Sequence, residues 1–268
     1  YCYEQFLCLG PRQFRVALQD FERSDLCPEI TLEVSGIQLL RQNRIPVPKT
    51  ILWCSPNIVV YEKLGILTKL PPEATADVLS RIHEISITPG IPSRDIKIQN
   101  GLIVINDSNF VNPITVHGVS PLVISLIEKA ISRGMRLLHG DLKRSNLLKV
   151  ASDLYVIDPK LCIGIVEVDI GKLLLRELLT TNQRQTEIVE SLLRFLQRYS
   201  KVSGLAIEEL ETTSIVLGLV ELQHLLSVPP RQNLDLLGDE MPQLYRRKNL
   251  VSRLCGDVLQ NGKILGIR

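Results

Sequence analysis

Several features that would settle the class of this 268-residue chain at once are missing from it. None of its six cysteines stands in a C-x-x-C pair, and none of its four histidines sits at ligand spacing beside one. That argues against a structural zinc. Cys2, Cys8, Cys27, Cys54, Cys162 and Cys255 read instead as buried thiols of a reduced compartment. No apolar run approaches the roughly 18 residues that a membrane span requires. Neither sign of charge dominates: 31 Lys+Arg against 29 Asp+Glu leave +2, which argues against a dedicated nucleic-acid binder. Neither G-x-G-x-x-G nor a Walker A sequence occurs, so no Gly-rich phosphate loop is legible. The opening residues, Tyr1-Cys2-Tyr3-Glu4-Gln5, carry no signal-peptide pattern. A cytoplasmic location is expected, and the missing initiator Met leads us to expect residues upstream. What is present, 45% hydrophobic and 22% charged, is an ordinary globular composition with enough length for one large domain or two lobes.

Local patterns divide the chain. Tyr1–Cys8 and Gln13–Gln19 flank Gly10-Pro11-Arg12, a hairpin signal. Phe14, Val16 and Leu18 alternate with polar or small neighbours and give that second strand one apolar face. A helix follows, capped by Ser24 or Asp25 with Pro28 in its first turn. Leu32, Ile37 and Leu40 lie on its buried face. It must stop before Ile45-Pro46-Val47-Pro48, since residues preceding proline are pushed from the helical region. Thr50–Trp53 and Ile58–Tyr61 are short β-branched strands. Leu70-Pro71-Pro72-Glu73 marks a junction between a first lobe, residues 1–66, and a second, residues 67–268. Beyond it come a helix over Glu73–Ile85 and a hairpin over Asp95–Ile105 turning at Asn100-Gly101. Further helices are expected at Pro121–Arg133, Asp169–Leu179, Glu187–Ser200, Ile207–Leu226 and Met241–Leu259.

The chemistry concentrates in His139-Gly140-Asp141-Leu142-Lys143-Arg144-Ser145-Asn146. An Asn follows Asp141 by five positions, and Asp158-Pro159 closes the apolar strand Leu154–Ile157. Three oxygen-bearing side chains thus fall on loops between short strands. Phosphoryl transfer needs such a set: one carboxylate to orient the attacking hydroxyl, and a carboxylate plus an amide oxygen to hold Mg²⁺ against nucleotide phosphates. An ordinary polar turn after a strand is the plainer alternative.

H-G-D-x-x-x-x-N followed by I-D-P resembles the aminoglycoside phosphotransferase and choline kinase group. The resemblance implies an α+β, two-lobed protein-kinase-like fold, with a small β-rich N-lobe and a mainly helical C-lobe. It implies ATP and Mg²⁺ as cofactors and a small-molecule hydroxyl as acceptor, of the aminoglycoside or choline type. Asp141 would be the catalytic base, and Asn146 and Asp158 the metal ligands. Lys143 matches the Lys of the protein-kinase D-L-K-x-x-N loop, where it would steady the transferred phosphate. His139 would be structural, and Asp169 the buried acid bracing the catalytic loop. Glu33 resembles the helix acid that pairs a nucleotide-binding lysine; a solvent-facing helix Glu is the alternative. Val59–Leu64 resembles the hinge strand that meets adenine, which assigns Glu62 and Leu64 to the nucleotide. His83 falls in a helix similar to the group's L-x-x-L-H helix and reads equally as a packed core histidine.

One element of the pattern is absent. The lysine expected on the strand before the Glu33 helix is not there: Val16-Ala17-Leu18-Gln19 aligns with V-A-I-K and puts Gln19 at its position. Gln19 can donate a hydrogen bond but brings no charge, and Arg15 lies two pleats away on the same face. Glu187, Glu190, Glu208, Glu209, Glu211 and Glu221 are acidic candidates for a cationic acceptor, with a solvated helix face as the alternative. Arg246-Arg247-Lys248 reads as surface charge. Two rival functions stay open: a degenerate kinase-like binding module, and an atypical protein kinase.

Overall fold

The computed structural model describes residues 2–9, 12–19, 28–54, 58–62, 71–107, 113–143, 146–150, 153–180 and 185–227. The first hairpin forms as its Gly-Pro turn predicts: β1 (Cys2–Leu9) pairs antiparallel with β2 (Arg12–Gln19). β3 (Thr50–Cys54) and β4 (Ile58–Glu62) complete a four-stranded sheet in the order β1-β2-β4-β3. Between the two hairpins runs α1 (Pro28–Gln42), with Pro28 at its first position, where a missing N–H costs nothing. It ends where the prolines ahead require. Arg44 takes a φ of 59°, and the Ile45 N–H returns to the Leu40 carbonyl at 3.0 Å, a left-handed cap. Val34, Ile37 and Leu40 are buried, so one stripe of α1 faces the core.

The second part is mainly helical. α2 (Pro72–His83) buries Ala76, Leu79, Ile82 and His83 on one face. β5 (Arg94–Gln99) and β6 (Leu102–Asp107) form the second hairpin. Asn100 and Gly101 carry its turn with φ of 51° and 75°, the geometry that makes Asn-Gly a hairpin signal. β7 (Ile114–Val116) adds a third strand to this sheet. Next comes α3 (Pro121–Ser132), capped by the Ser120 hydroxyl, which accepts from the Val123 N–H at 3.4 Å.

Two short strand pairs follow. β8 (Arg136–Leu138) pairs with β11 (Cys162–Gly164), and β9 (Leu147–Val150) with β10 (Asp153–Val156). Three helices close the described chain: α4 (Glu167–Thr180), α5 (Gln185–Ser203) and α6 (Ile207–Ser227). The expected helix Met241–Leu259 and the basic cluster Arg246–Lys248 lie outside the described residues, as do the caps Ser24 and Asp25. Among the described residues the parts meet in several places, one of them the Arg81 guanidinium donating to the Arg44 carbonyl at 2.5 Å. The Val156 N–H donates to the Pro46 carbonyl at 2.8 Å, and Gly36 of α1 lies against Pro159 and Leu161. No helix among the described residues is long and apolar enough to cross a membrane. Cys162 is buried, as the cysteine pattern implies.

Candidate active site

β8 delivers the chain into His139 and Asp141; β9 leaves it after Asn146; β10 returns it to Asp158. These loops are stitched together by backbone. The Ile157 N–H donates to the Asn146 carbonyl at 3.0 Å, and the Lys160 N–H to the His139 carbonyl at 2.9 Å. Gly140 has a φ of 80°, and a β-carbon there would overlap the Lys160 carbonyl. Only glycine lets the two loops close to this distance.

Asp141 and Asn146 are buried together. The Asn146 amide Nδ2 donates to the Asp141 carbonyl at 2.9 Å and lies 3.4 Å from its Oδ2. With its nitrogen turned inward, Asn146 leaves its amide oxygen as the atom a hard cation would take. Asp158 adopts a φ of 50°, rare for a side-chain-bearing residue and tolerated best by Asp and Asn. Among the described residues no three His, Cys, Asp or Glu cluster as a metal cage. The Asn146 amide oxygen and the Asp158 carboxylate are the oxygens these loops would offer a cation. That donor set fits Mg²⁺ rather than zinc.

One face of α4 holds the His139–Asp141 segment. Asp169 accepts the His139 N–H at 2.6 Å and the Gly140 N–H at 3.0 Å. One turn on, Lys172 donates to the Gly140 carbonyl at 2.6 Å. One further turn on, the Arg176 guanidinium lies 3.5 Å from Asp141 Oδ1. Positions i, i+3 and i+7 of one helix thus contact three successive loop residues. Lys143 approaches Asp141 Oδ2 at 3.4 Å. Burial alone would raise the Asp141 carboxyl. Arg176, Lys172, Lys143 and Lys160 outweigh it and hold the group well below the usual carboxylate range.

His139 is fully buried. Its Nε2 faces the Ile157 carbonyl at 3.2 Å, and its Nδ1 accepts the Asp141 N–H at 3.3 Å. Burial lowers its pKa against the pull of Asp169, Asp141 and Asp158, so the ring is a neutral strut. His83 sits behind Asp169, 3.3 Å from its Oδ2, and its Nδ1 is 2.6 Å from the Tyr199 hydroxyl. Burial opposes ionisation of Asp169, but the His83 hydrogen bond and the surrounding donors win and keep its pKa low.

The nucleotide candidates are placed as follows. Gln19 is the last residue of β2, opposite Cys2, and Glu62 the last of β4, opposite Phe14. Glu33 is half-buried on α1. Leu64 lies outside the described residues.

No protein-family model matches the chain, and no curated protein does. Solved structures do match. The microcompartment-associated aminopropanol kinase is 16% identical with a TM-score of 0.58, over 100% of this chain and 94% of that one. Choline kinase LicA from Streptococcus pneumoniae is 18% identical with a TM-score of 0.57, over 92% and 89%. The amicoumacin kinase hAmiN, solved with AMP-PNP, Ca²⁺ and Ami, is 15% identical with a TM-score of 0.50, over 93% and 88%. The chain has the fold of these small-molecule kinases.

Within this α+β, two-lobed kinase fold the acidic candidates separate. Glu221 is neither on a solvated helix face nor available to a cationic acceptor. It is buried on α6, with Oε1 2.8 Å from Lys172 and Oε2 3.5 Å from Arg94. The reason is charge: two buried cations need a buried anion. Glu209 bonds Lys129 and Arg133 of α3 and the turn after it. Glu190 and Glu208 are exposed, and Glu211 is half-buried. The Glu187 side chain lies outside the described residues. Sequence reasoning passed over Lys172 and Arg176. Their signal was a helix reading Leu-Leu-Leu-Arg-Glu-Leu-Leu whose only cations share one face with Asp169.

Proposed function

We propose that this chain is a phosphotransferase that uses ATP and Mg²⁺ to phosphorylate a hydroxyl of a small molecule, of the amino-alcohol or aminoglycoside class. One observation carries the reading: Asp141, Asn146 and Asp158 stand on two loops locked together at Ile157 and Gly140. The names of the structural neighbours, an aminopropanol kinase, a choline kinase and an amicoumacin kinase solved with AMP-PNP, support the same class. Such a reaction suits the ATP-rich cytoplasm.

The proposal gives each residue a role. A carboxylate oxygen of Asp141 accepts the hydrogen bond of the acceptor hydroxyl and takes its proton. Its low pKa makes it a weak base whose main contribution is orientation, which suits a loose transition state with little nucleophile activation. Asn146 and Asp158 hold the cation. When bound, ATP supplies the phosphoryl group and Mg²⁺ offsets the charge of its phosphates. Lys143, beside Asp141, steadies the phosphate as a point charge.

The deciding measurement is thermal stability with and without Mg·ATP, with Asp158→Ala as control. Nucleotide at about 100 times its dissociation constant adds roughly 2.7 kcal/mol. A shift that needs Mg²⁺ and vanishes in the variant supports the reading. An acceptor-dependent release of ADP that Asp141→Asn reduces by about a thousandfold, with an unchanged melting temperature, completes it. No shift at millimolar nucleotide would sink it and favour a degenerate binding module, the reading that Gln19 motivates.

A further inference from the structure

Tyr199 on α5 carries a buried hydroxyl for which the proposed chemistry has no use. Its ring is held on two sides. It stands edge-on to His83 with centroids 5.7 Å apart, and it stacks on Phe195 at 6.1 Å. A buried phenol needs a partner for its polar tip. That partner is Nδ1 of His83 on α2, at 2.6 Å. Burial pushes the phenol's pKa up, and the charges of Glu167, Asp169 and Glu84 add to this against Arg136. The hydroxyl therefore keeps its proton at neutral pH and can donate it.

The other ring nitrogen faces a carboxylate. His83 Nε2 lies 3.3 Å from Asp169 Oδ2. Asp169 is held ionised, and an ionised carboxylate only accepts. The contact is attractive when Nε2 carries the hydrogen. In a neutral imidazole Nδ1 is then the acceptor, which the Tyr199 hydroxyl fills. The two bonds are unequal. The one to Asp169 is long for a hydrogen bond and the one to Tyr199 is short, so Tyr199 has the stronger hold on the tautomer. Asp169 in turn accepts the His139 N–H at 2.6 Å and the Gly140 N–H at 3.0 Å. A single line of hydrogen bonds thus runs from α5 through α2 and α4 to the segment that ends at Asp141.

We propose that Tyr199 is a positioning residue of the active site: by donating to Nδ1 it fixes His83 as the Nε2–H tautomer, and so orients the Asp169 carboxylate that holds the His139–Asp141 segment. Its consequence for turnover rests on the function proposed above. Without the hydroxyl, both tautomers of His83 become accessible. In one of them a ring lone pair faces the Asp169 carboxylate and repels it. The carboxylate then turns, and its bonds to the His139 and Gly140 N–H groups loosen together.

Tyr199→Phe tests this, because it removes the hydroxyl and keeps the ring between His83 and Phe195. Nitrogen-15 NMR of histidine-labelled protein at neutral pH reads the tautomer directly, and a chain with four histidines gives a spectrum simple enough to assign. Wild type should show His83 protonated at Nε2 alone. Tyr199→Phe should show both tautomers, with hydrogen exchange at the His139 and Gly140 amides faster by about tenfold, the range of one lost hydrogen bond. Its kcat should fall by a similar factor while the KM for Mg·ATP stays within about twofold, since the change acts through the loop and not on the nucleotide. A wild-type ring protonated at Nδ1 alone, or at both nitrogens, would overturn the proposal, and that outcome needs no variant to fold. So would a Tyr199→Phe protein whose tautomer and amide exchange match wild type, or one with mixed tautomers and undiminished kcat. The same substitution in a His83→Gln background, where the amide has no tautomers, should add little further loss; a full additional tenfold would mean that Tyr199 acts by packing and would overturn the proposal too. If wild type transfers no phosphate, the function proposed above has failed, and the spectra and amide exchange decide the tautomer by themselves.

Discussion

His139 illustrates how a single residue's environment sets a measurable property. Its ring is buried between two loops with both nitrogens engaged, and burial lowers its pKa. In the unfolded chain an imidazole takes up a proton near pH 6.5. The folded ring refuses that proton. A folded pKa below the unfolded one means that stability is full above about pH 6.5 and falls as pH drops toward the folded value, by up to about 1.4 kcal/mol per pH unit. Denaturant melts of wild type between pH 7.5 and 5.5 should show this slope. His139→Asn should be less stable at pH 7.5 yet lose less on acidification. An equal slope in both proteins would mean that His139 accepts its proton while folded.

Elements differ in how much of them the sequence discloses, and the reason is period. α2, α3 and α6 were legible because Ala76, Leu79 and Ile82, or Val123 and Ile127, recur at helical spacing and are buried. The β5–β6 hairpin was legible because Asn100-Gly101 has a mechanism. β7, β8 and β11 were not: strands of three residues show too little alternation to register, and their pairing depends on partners distant in sequence. The contact of α4 with α6 was equally silent. At its crossing a β-carbon on Gly171 would overlap the Ser214 carbonyl, and one on Gly218 would come within 2.7 Å of the Gly171 carbonyl. Backbone meets backbone there, and nothing flexible can give way. Gly171→Ala, which would favour an isolated helix, should instead destabilise this one by about 1–3 kcal/mol through overpacking. Chemical denaturation would register that loss. Because α4 carries Asp169, Lys172 and Arg176, any displacement should also lower turnover before the variant unfolds. A gain in stability would show that the two helices can separate at no cost.

At the scale of the molecule, the candidate base Asp141 and the candidate metal ligands Asn146 and Asp158 were readable because they fall close together in sequence, on two short loops. What holds them in place was not, because it is assembled from elements far apart in the chain. From Gly140 the path runs to Lys172 of α4, to Glu221 of α6 and to Arg94 at the start of β5. Each of these charged side chains is buried. A buried ion pair adds little over an apolar core of the same volume, but removing one partner is costly, because the remaining charge keeps its desolvation penalty. Glu221→Gln strips the counter-charge from Lys172 and Arg94 together, so the expected loss is about 3 kcal/mol or more, far beyond the usual effect of an isosteric change. The consequence should extend past stability. Lys172 also holds the Gly140 carbonyl, and a Lys172 drawn off by other acceptors would loosen the loop that orients Asp141. On the proposed function, turnover of the still-folded fraction should therefore fall while the affinity for Mg·AMP-PNP, which that proposal assigns to Asn146 and Asp158, changes little. Urea melts and titrations on the same preparation separate these effects. A Glu221→Gln protein as stable as wild type would mean that the two cations reach water or another anion, and the path from α6 to the catalytic loop would carry no load.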